Sequence, residues 1–194
     1  MKITLIAAIT ADGFIADGNG NGDFSSAEDK RHLREFLHSD SVDGFIVGRK
    51  TFAAFADRLA HKPSYVFTRN AGLTDTHNIV YCRNITELPT KTTHHFALLG
   101  GAEIYHHFLN NRLIDEMFIT VEENITFGSG TSLNLTKYLP KFDQVQVLQL
   151  SPTTKVLVYC RGGCPQPPAG RCKHAPSACL QGRRPLQKLT AEIF

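Results

Sequence analysis

The chain has 194 residues and a formal charge of +3, long enough for one domain with a substantial core. No run of about eighteen apolar residues exists, which excludes a membrane-spanning helix at the level of sequence. The charge is uneven: from Gly162 onward there are five Lys or Arg and one Glu, so that segment carries +4 and residues 1–161 carry −1, leaving the body without a positive field for nucleic acid.

The N-terminal MKITLIAAIT has only six residues resembling a signal h-region before ADG, so it is read as a strand and a cytoplasmic protein is expected. Residues 3–9, ITLIAAI, form an apolar run suited to a strand buried on both faces. Residues 11–23 hold four glycines and predict a mobile loop. Ser25 and Ser26 each precede an acid by three positions (Glu28 and Asp29), a helix-start signal that predicts a helix over 26–38. VDGFIVG (42–48) predicts a strand followed by a short helix from Lys50. SYVFT (64–68), NIVYC (78–82) and FALL (96–99) predict further strands, then a helix from Gly101 to Leu109 and the strand DEMFITVE (115–122). VQVLQL (145–150) and KVLVYC (155–160), separated by SPTT, predict a closing hairpin. Strands interleaved with helices and a hairpin at the end indicate an α/β fold, mostly parallel with an antiparallel edge.

The domain is expected to end near Arg161. Residues 162–194 hold five of the nine prolines and three of the five cysteines, and are read as a disordered or artefactual basic extension. Cys160, Cys164, Cys172, His174 and Cys179 lack the paired C-x2-C clips of structural zinc sites, so no metal is expected.

Two glycine-bearing strand ends lead directly into helices: IVGRKT (46–51) and LLGGAEIY (98–105). In an open α/β sheet ligands gather at the carboxyl ends of the strands, where helix N-termini offer N–H groups to phosphate. Without Cβ atoms, Gly100 and Gly101 let backbone amides approach a diphosphate. Arg49, Lys50 and Thr51 add two cations and a hydroxyl, and Thr68-Arg69-Asn70 puts a hydroxyl beside a guanidinium at a third strand end. Three such ends favour a nucleotide, although G-x-G-x-x-G is absent. On the helix at 26–38, Leu33, Phe36 and Leu37 define an apolar face at 100° per residue, and Asp29 lies within that stripe. A carboxylate withdrawn from water there suits proton delivery or binding of a protonated heterocycle. Lys30 flanks the same face, placed to pair with Asp29 or to meet an anionic substrate. The pairs His94-His95 and His106-His107 diverge on any regular element and are read as exposed polar residues.

The series LIAAITADGFIA, VGRKTF, YVFTRN, LLGGAEIY, LIDEMFITV and GSGTSL resembles the dihydrofolate reductase-like superfamily over roughly residues 1–160. It is most similar there to the riboflavin-biosynthesis reductase domain and its stand-alone relatives. The resemblance implies a central eight-stranded sheet and an NADPH-dependent reductase acting on a small pyrimidine or pterin. A 5-amino-6-(5-phosphoribosylamino)uracil reductase is the leading expectation, with dihydrofolate reductase and a non-catalytic nucleotide-binding protein as alternatives. By motif, Ala8 and Ile15 should border the nicotinamide, and Gly48, Arg49, Lys50, Thr51, Thr68 and Arg69 should hold the 2′-phosphate side and the diphosphate. Leu99, Gly100, Gly101, Ala102, Glu103 and Ile104 should wrap the diphosphate, with Tyr105 closing near the nicotinamide. Asp29 matches the substrate-binding acid and Thr120 the hydroxyl that supports it, with Ile6, Phe24, Lys30 and Leu33 also facing substrate. Folate reductases carry an apolar residue where Lys30 stands, and their arginine for the glutamate tail aligns with Lys62. Relatives of the riboflavin type are often dimers, so a homodimer is compatible with the resemblance.

Overall fold

The structure is a computed structural model that describes residues 1–89 and 93–162. Of the basic extension, everything from residue 163 lies outside the described residues, including Cys164, Cys172, His174 and Cys179.

Among the described residues, ten strands and three α-helices follow in chain order: β1 (Lys2–Thr10), β2 (Phe14–Ala16), α1 (Ala27–His38), β3 (Gly44–Gly48), α2 (Arg49–Leu59), β4 (Ser64–Phe67), β5 (Ile79–Cys82), β6 (His95–Leu98), α3 (Ala102–Asn110), β7 (Glu116–Glu122), β8 (Thr131–Ser132), β9 (Asp143–Ser151) and β10 (Thr154–Cys160). Eight strands form one sheet in the order β5-β4-β3-β6-β1-β7-β10-β9. The pairs from β5 to β7 are parallel, whereas β10 runs antiparallel to both β7 and β9. The expected dihydrofolate reductase-like sheet, with its antiparallel C-terminal hairpin, is therefore present.

The apolar run of β1 is explained by burial on both faces. Ile3, Leu5, Ala7 and Ile9 join the cluster beneath α3, while Ile6 packs against the opposite cluster that holds Leu37 of α1 and Leu59 of α2. With α1 and α2 on one face and α3 on the other, neighbouring strands β3 and β6 send their chains in opposite directions. One leads through α2 to β4, the other through α3 to β7. Their shared carboxyl end is a topological switch point, where the crossovers part and leave a crevice.

The loop over 11–23 is less free than its four glycines imply. Its Phe14–Ala16 segment pairs with Thr131–Ser132 as a separate two-stranded sheet. Asp12 accepts the Thr10 hydroxyl at 2.5 Å and the amides of Phe127 and Gly128 at 3.1 and 2.8 Å. Burial works to raise the Asp12 carboxyl, but these donors outweigh it and lower its pKa. Among the described residues no helix is long and apolar enough to cross a membrane.

His95 corrects the reading of the histidine pairs as exposed. It is half-buried, with Nδ1–H donating to the Ser41 carbonyl and Nε2 against Thr4 Oγ1, each at 2.8 Å. Burial holds His32, His95 and His106 below the ordinary histidine value of 6.5. In the unfolded chain these rings titrate near 6.5, so below that pH the unfolded state binds protons that the folded state resists. The stability they contribute is complete above the unfolded pKa and is lost as pH falls towards the folded values. Thermal unfolding should therefore shift to lower temperature between about pH 7.5 and about pH 5.5. A midpoint that rises over that interval would contradict the buried, neutral rings.

Candidate functional site

A cleft of about 1850 Å³ opens along the carboxyl ends of the parallel strands, between the α1–α2 face and the start of α3. Nineteen of the twenty-one residues singled out from the sequence line it: Ile6, Ala8, Ile15, Asp29, Lys30, Leu33, Gly48, Arg49, Lys50, Thr51, Thr68, Arg69, Leu99 and the run from Gly100 to Tyr105 account for all but Phe24 and Thr120. Phe24 departs from the expectation because its ring packs edge-on against Phe127, centroids 5.1 Å apart, and is absent from the lining. Thr120 lies behind the wall and reaches the cleft only through Asp29.

Asp29 is 6% exposed although it stands in the first turn of a surface helix. Two contacts fix it. Its backbone N–H donates to Ser26 Oγ, the N-cap of α1, at 3.2 Å. Thr120 Oγ1, from the centre of β7, donates to Asp29 Oδ1 at 2.6 Å. Leu33 and Phe36 pack on the adjoining apolar cluster, so the stripe read from the sequence turns Asp29 inward. Lys30 does not pair with Asp29. Its Nζ lies 2.8 Å from Asp23 Oδ1, and this hydrogen bond holds the Asp23 carboxyl below its ordinary range.

Across the cleft, α2 starts after Gly48 and α3 after Gly101, and neither N-cap supplies a side-chain hydrogen bond. The two strand ends touch: Gly48 N–H donates to the Gly100 carbonyl at 2.6 Å. Two helix N-termini thus converge at the switch point, with their first amides and positive dipole ends facing the same space. A Cβ at Gly48 would come within 3.0 Å of Ile104 Cγ1, and one at Gly101 within 3.3 Å of Thr51 Oγ1. Gly100 and Gly101 are joined by a cis peptide bond. Such a cradle, bare of Cβ atoms at Gly48, Gly100 and Gly101, fits a diphosphate.

Farther along, Thr68, Arg69 and Asn70 follow β4, and Arg69 Nη2 pairs with Glu103 Oε2 at 3.1 Å with both side chains largely exposed. Sequence reasoning missed Arg83, which stands directly after β5 and lines the same end of the cleft. The rule that found Arg69, a cation at a parallel strand's carboxyl end, finds Arg83 when applied to β5. Arg34 and Arg58 were also missed; they line the opposite end with Lys30.

Tyr105 and Lys62 each make a structural contact of their own. Tyr105 lines the cleft, yet its hydroxyl donates to the Ile6 carbonyl at 2.5 Å and burial pushes its pKa up. It ties α3 to β1 rather than presenting a free phenol. Lys62 is absent from the lining. Its Nζ donates to the carbonyls of Leu37 and Ser39 at 2.9 and 2.6 Å, capping the C-terminus of α1. Lys62→Met is therefore expected to cost about 1–2 kcal/mol, the value of charge-assisted bonds at a half-buried position. Urea denaturation checks this; an unchanged midpoint would refute the cap.

Residues 2–150 match the family model described as dihydrofolate reductase. A curated relative from Bacillus subtilis (strain 168), the uncharacterized protein YyaP, is 28% identical over 152 residues, covering 68% of this chain and 79% of its own. A dihydrofolate reductase from Enterococcus faecalis complexed with NADP(H) and RAB-propyl superposes with a TM-score of 0.65 at 16% identity, over 84% of this chain and 97% of that one. A diaminohydroxyphosphoribosylaminopyrimidine deaminase/5-amino-6-(5-phosphoribosylamino)uracil reductase from Thermotoga maritima superposes with a TM-score of 0.60 at 17% identity. That match covers 83% of this chain and 56% of the longer one. At these identities both structures establish the fold.

Proposed function

The chain belongs to the dihydrofolate reductase family, and from that premise we propose that it is an NADPH-dependent reductase of the 5-amino-6-(5-phosphoribosylamino)uracil reductase type. The observation that carries the reading is a single cleft with Asp29 and Thr120 on one wall and the uncapped starts of α2 and α3 on the other. The cofactor fits the second wall. The amides that open α2 and α3 suit the diphosphate, with Gly48, Gly100 and Gly101 keeping side chains out of its way. Thr68, Arg69 and Arg83 suit a ribose phosphate, and Ala8 and Ile15 are small and apolar enough to flank a flat ring.

NADPH, when bound, supplies the hydride. The chain's own residues do the rest. Asp29 binds the nitrogen-bearing end of the substrate and exchanges a proton with it, Thr120 fixes the carboxylate's orientation, and the arm formed by β2 and the residues after it covers the reacting atoms and excludes water.

Two observations favour a phosphoribosyl pyrimidine over dihydrofolate. Lys62, aligned with the residue that meets the folate glutamate tail, is engaged by the end of α1. Lys30, Arg34 and Arg58 line the α1–α2 end of the cleft, where cations suit a phosphate arm. Loss of the reduced-nicotinamide absorbance is the test, with 5-amino-6-(5-phosphoribosylamino)uracil and dihydrofolate offered in turn. Turnover of the pyrimidine supports the proposal, turnover of dihydrofolate alone reassigns the substrate, and turnover of neither overturns both.

A further inference from the structure

β7 meets the first turn of α1 at two points, and only one of them is Thr120. Two residues along the same face, Glu122 is 1% exposed, although a carboxylate is rarely buried without a cation. Among the described residues no ion pair involves it. Its partners are neutral donors. Glu122 Oε1 accepts the Ser26 amide N–H at 2.7 Å, and Oε2 accepts the hydroxyl of the fully buried Thr154 at 2.8 Å. Thr154 Oγ1 also lies 3.2 Å from Ser26 Oγ, which in turn accepts the Asp29 amide.

Counting protons orders this circuit. An ionised carboxylate only accepts, so the single Thr154 hydroxyl proton is directed to Glu122. The Ser26 hydroxyl proton then points to Thr154 Oγ1, which leaves the Ser26 lone pairs for the Asp29 amide. Glu122 therefore fixes both the backbone and the side-chain rotor of the residue that caps α1. The positive end of the α1 dipole offsets its charge.

We propose that Glu122 is a positioning residue for Asp29: it anchors the N-cap of α1 to β7 so that the Asp29 carboxylate meets Thr120 and faces the cleft. The inference rests on the reading of Asp29 as the substrate-binding acid. Glu122 itself touches neither the cleft nor Asp29's carboxylate.

The test compares the full chain with Glu122→Leu, Glu122→Gln and Thr154→Val, using NADPH and 5-amino-6-(5-phosphoribosylamino)uracil as probes. Glu122→Leu is expected to lower kcat/KM by about tenfold or more, because displacement of a reacting group by about 1 Å is costly. NADPH affinity should stay within about twofold, since the cofactor wall is built by other elements. Gln keeps an acceptor for the Ser26 amide and should restore activity to within about threefold, and Thr154→Val, which leaves the Ser26 contact in place, should fall between the two. Failure of Gln to rescue, or a parallel loss of NADPH affinity, would overturn the proposal. Should Leu prevent folding, the Gln and Val variants decide alone. If the wild-type chain turns over neither candidate substrate, the functional reading fails separately. A crystal structure of Glu122→Leu or Thr154→Val then decides the positioning: a lengthened Asp29–Thr120 contact supports it, and an unchanged contact overturns it.

Discussion

Asp29→Asn should lower turnover by about a hundredfold to a thousandfold, the range of a lost proton-transferring group. The substitution is nearly isosteric, and the Asn side-chain oxygen can still accept the Thr120 hydroxyl that now sits 2.6 Å from Asp29 Oδ1. What disappears is the charge and the exchangeable proton, so the loss measures chemistry rather than packing. Because the carboxylate is 6% exposed, water offers little substitute. NADPH affinity should be nearly unchanged, since the helix starts that receive the diphosphate lie on the opposite wall. The check is a pair of measurements on each form: steady-state kcat with the pyrimidine substrate, and a fluorescence titration with NADPH. Equal turnover by both forms would remove Asp29 from the reaction, whereas unchanged NADPH binding with turnover by neither form would favour a nucleotide-binding protein without catalysis.

The second large effect divides the adjacent glycines. Gly100 has φ +107°, a conformation L side chains rarely adopt, and an added Cβ would sit 3.0 Å from three atoms of the Tyr105 phenol. That phenol is held by the Ile6 carbonyl and cannot swing away cheaply. Gly100→Ala should therefore cost about 2–3 kcal/mol of stability through backbone strain and overpacking. Gly101 has φ −73°, within reach of any residue, and its added Cβ would meet only Thr51 Oγ1, at 3.3 Å. A side chain there projects among the amides that open α2 and α3. Gly101→Val should weaken NADPH by more than about tenfold, with a smaller loss of stability than Gly100→Ala. Denaturation midpoints and NADPH titrations on both variants separate the effects. If Gly101→Val bound NADPH normally, the cradle would not be where the diphosphate lies.

The two glycines also mark how far the sequence could be read. Their position at a strand end before a helix was legible, because strand runs and helix starts are local patterns. So was the burial of Asp29, which follows from its place four residues before Leu33 on one helical face. The reason for Gly100 was not legible: it depends on Tyr105 lying against it and on Ile6 holding Tyr105, contacts that exist only after folding. Lys62 is known from the sequence only as the residue aligned with a folate-tail arginine, and it becomes a cap because the end of α1 comes to rest beside it. The strand Phe14–Ala16 and its partner Thr131–Ser132 are too short to show alternation, so a glycine-rich loop concealed a small sheet. Glu122 carried no local signal at all. A carboxylate at the end of a strand is ordinarily solvated, and only the docking of Ser26 and Thr154 around it reveals its burial.

The most direct measurement is a crystal structure of the chain with NADPH and the pyrimidine substrate bound. Diphosphate oxygens are expected within hydrogen-bond distance of the backbone amides that open α2 and α3, beside Gly48 and Gly101. The nicotinamide should lie between Ala8 and Ile15, and a substrate nitrogen on the Asp29 carboxylate. A cofactor bound elsewhere, or a substrate that makes no contact with Asp29, would contradict the proposed reductase site.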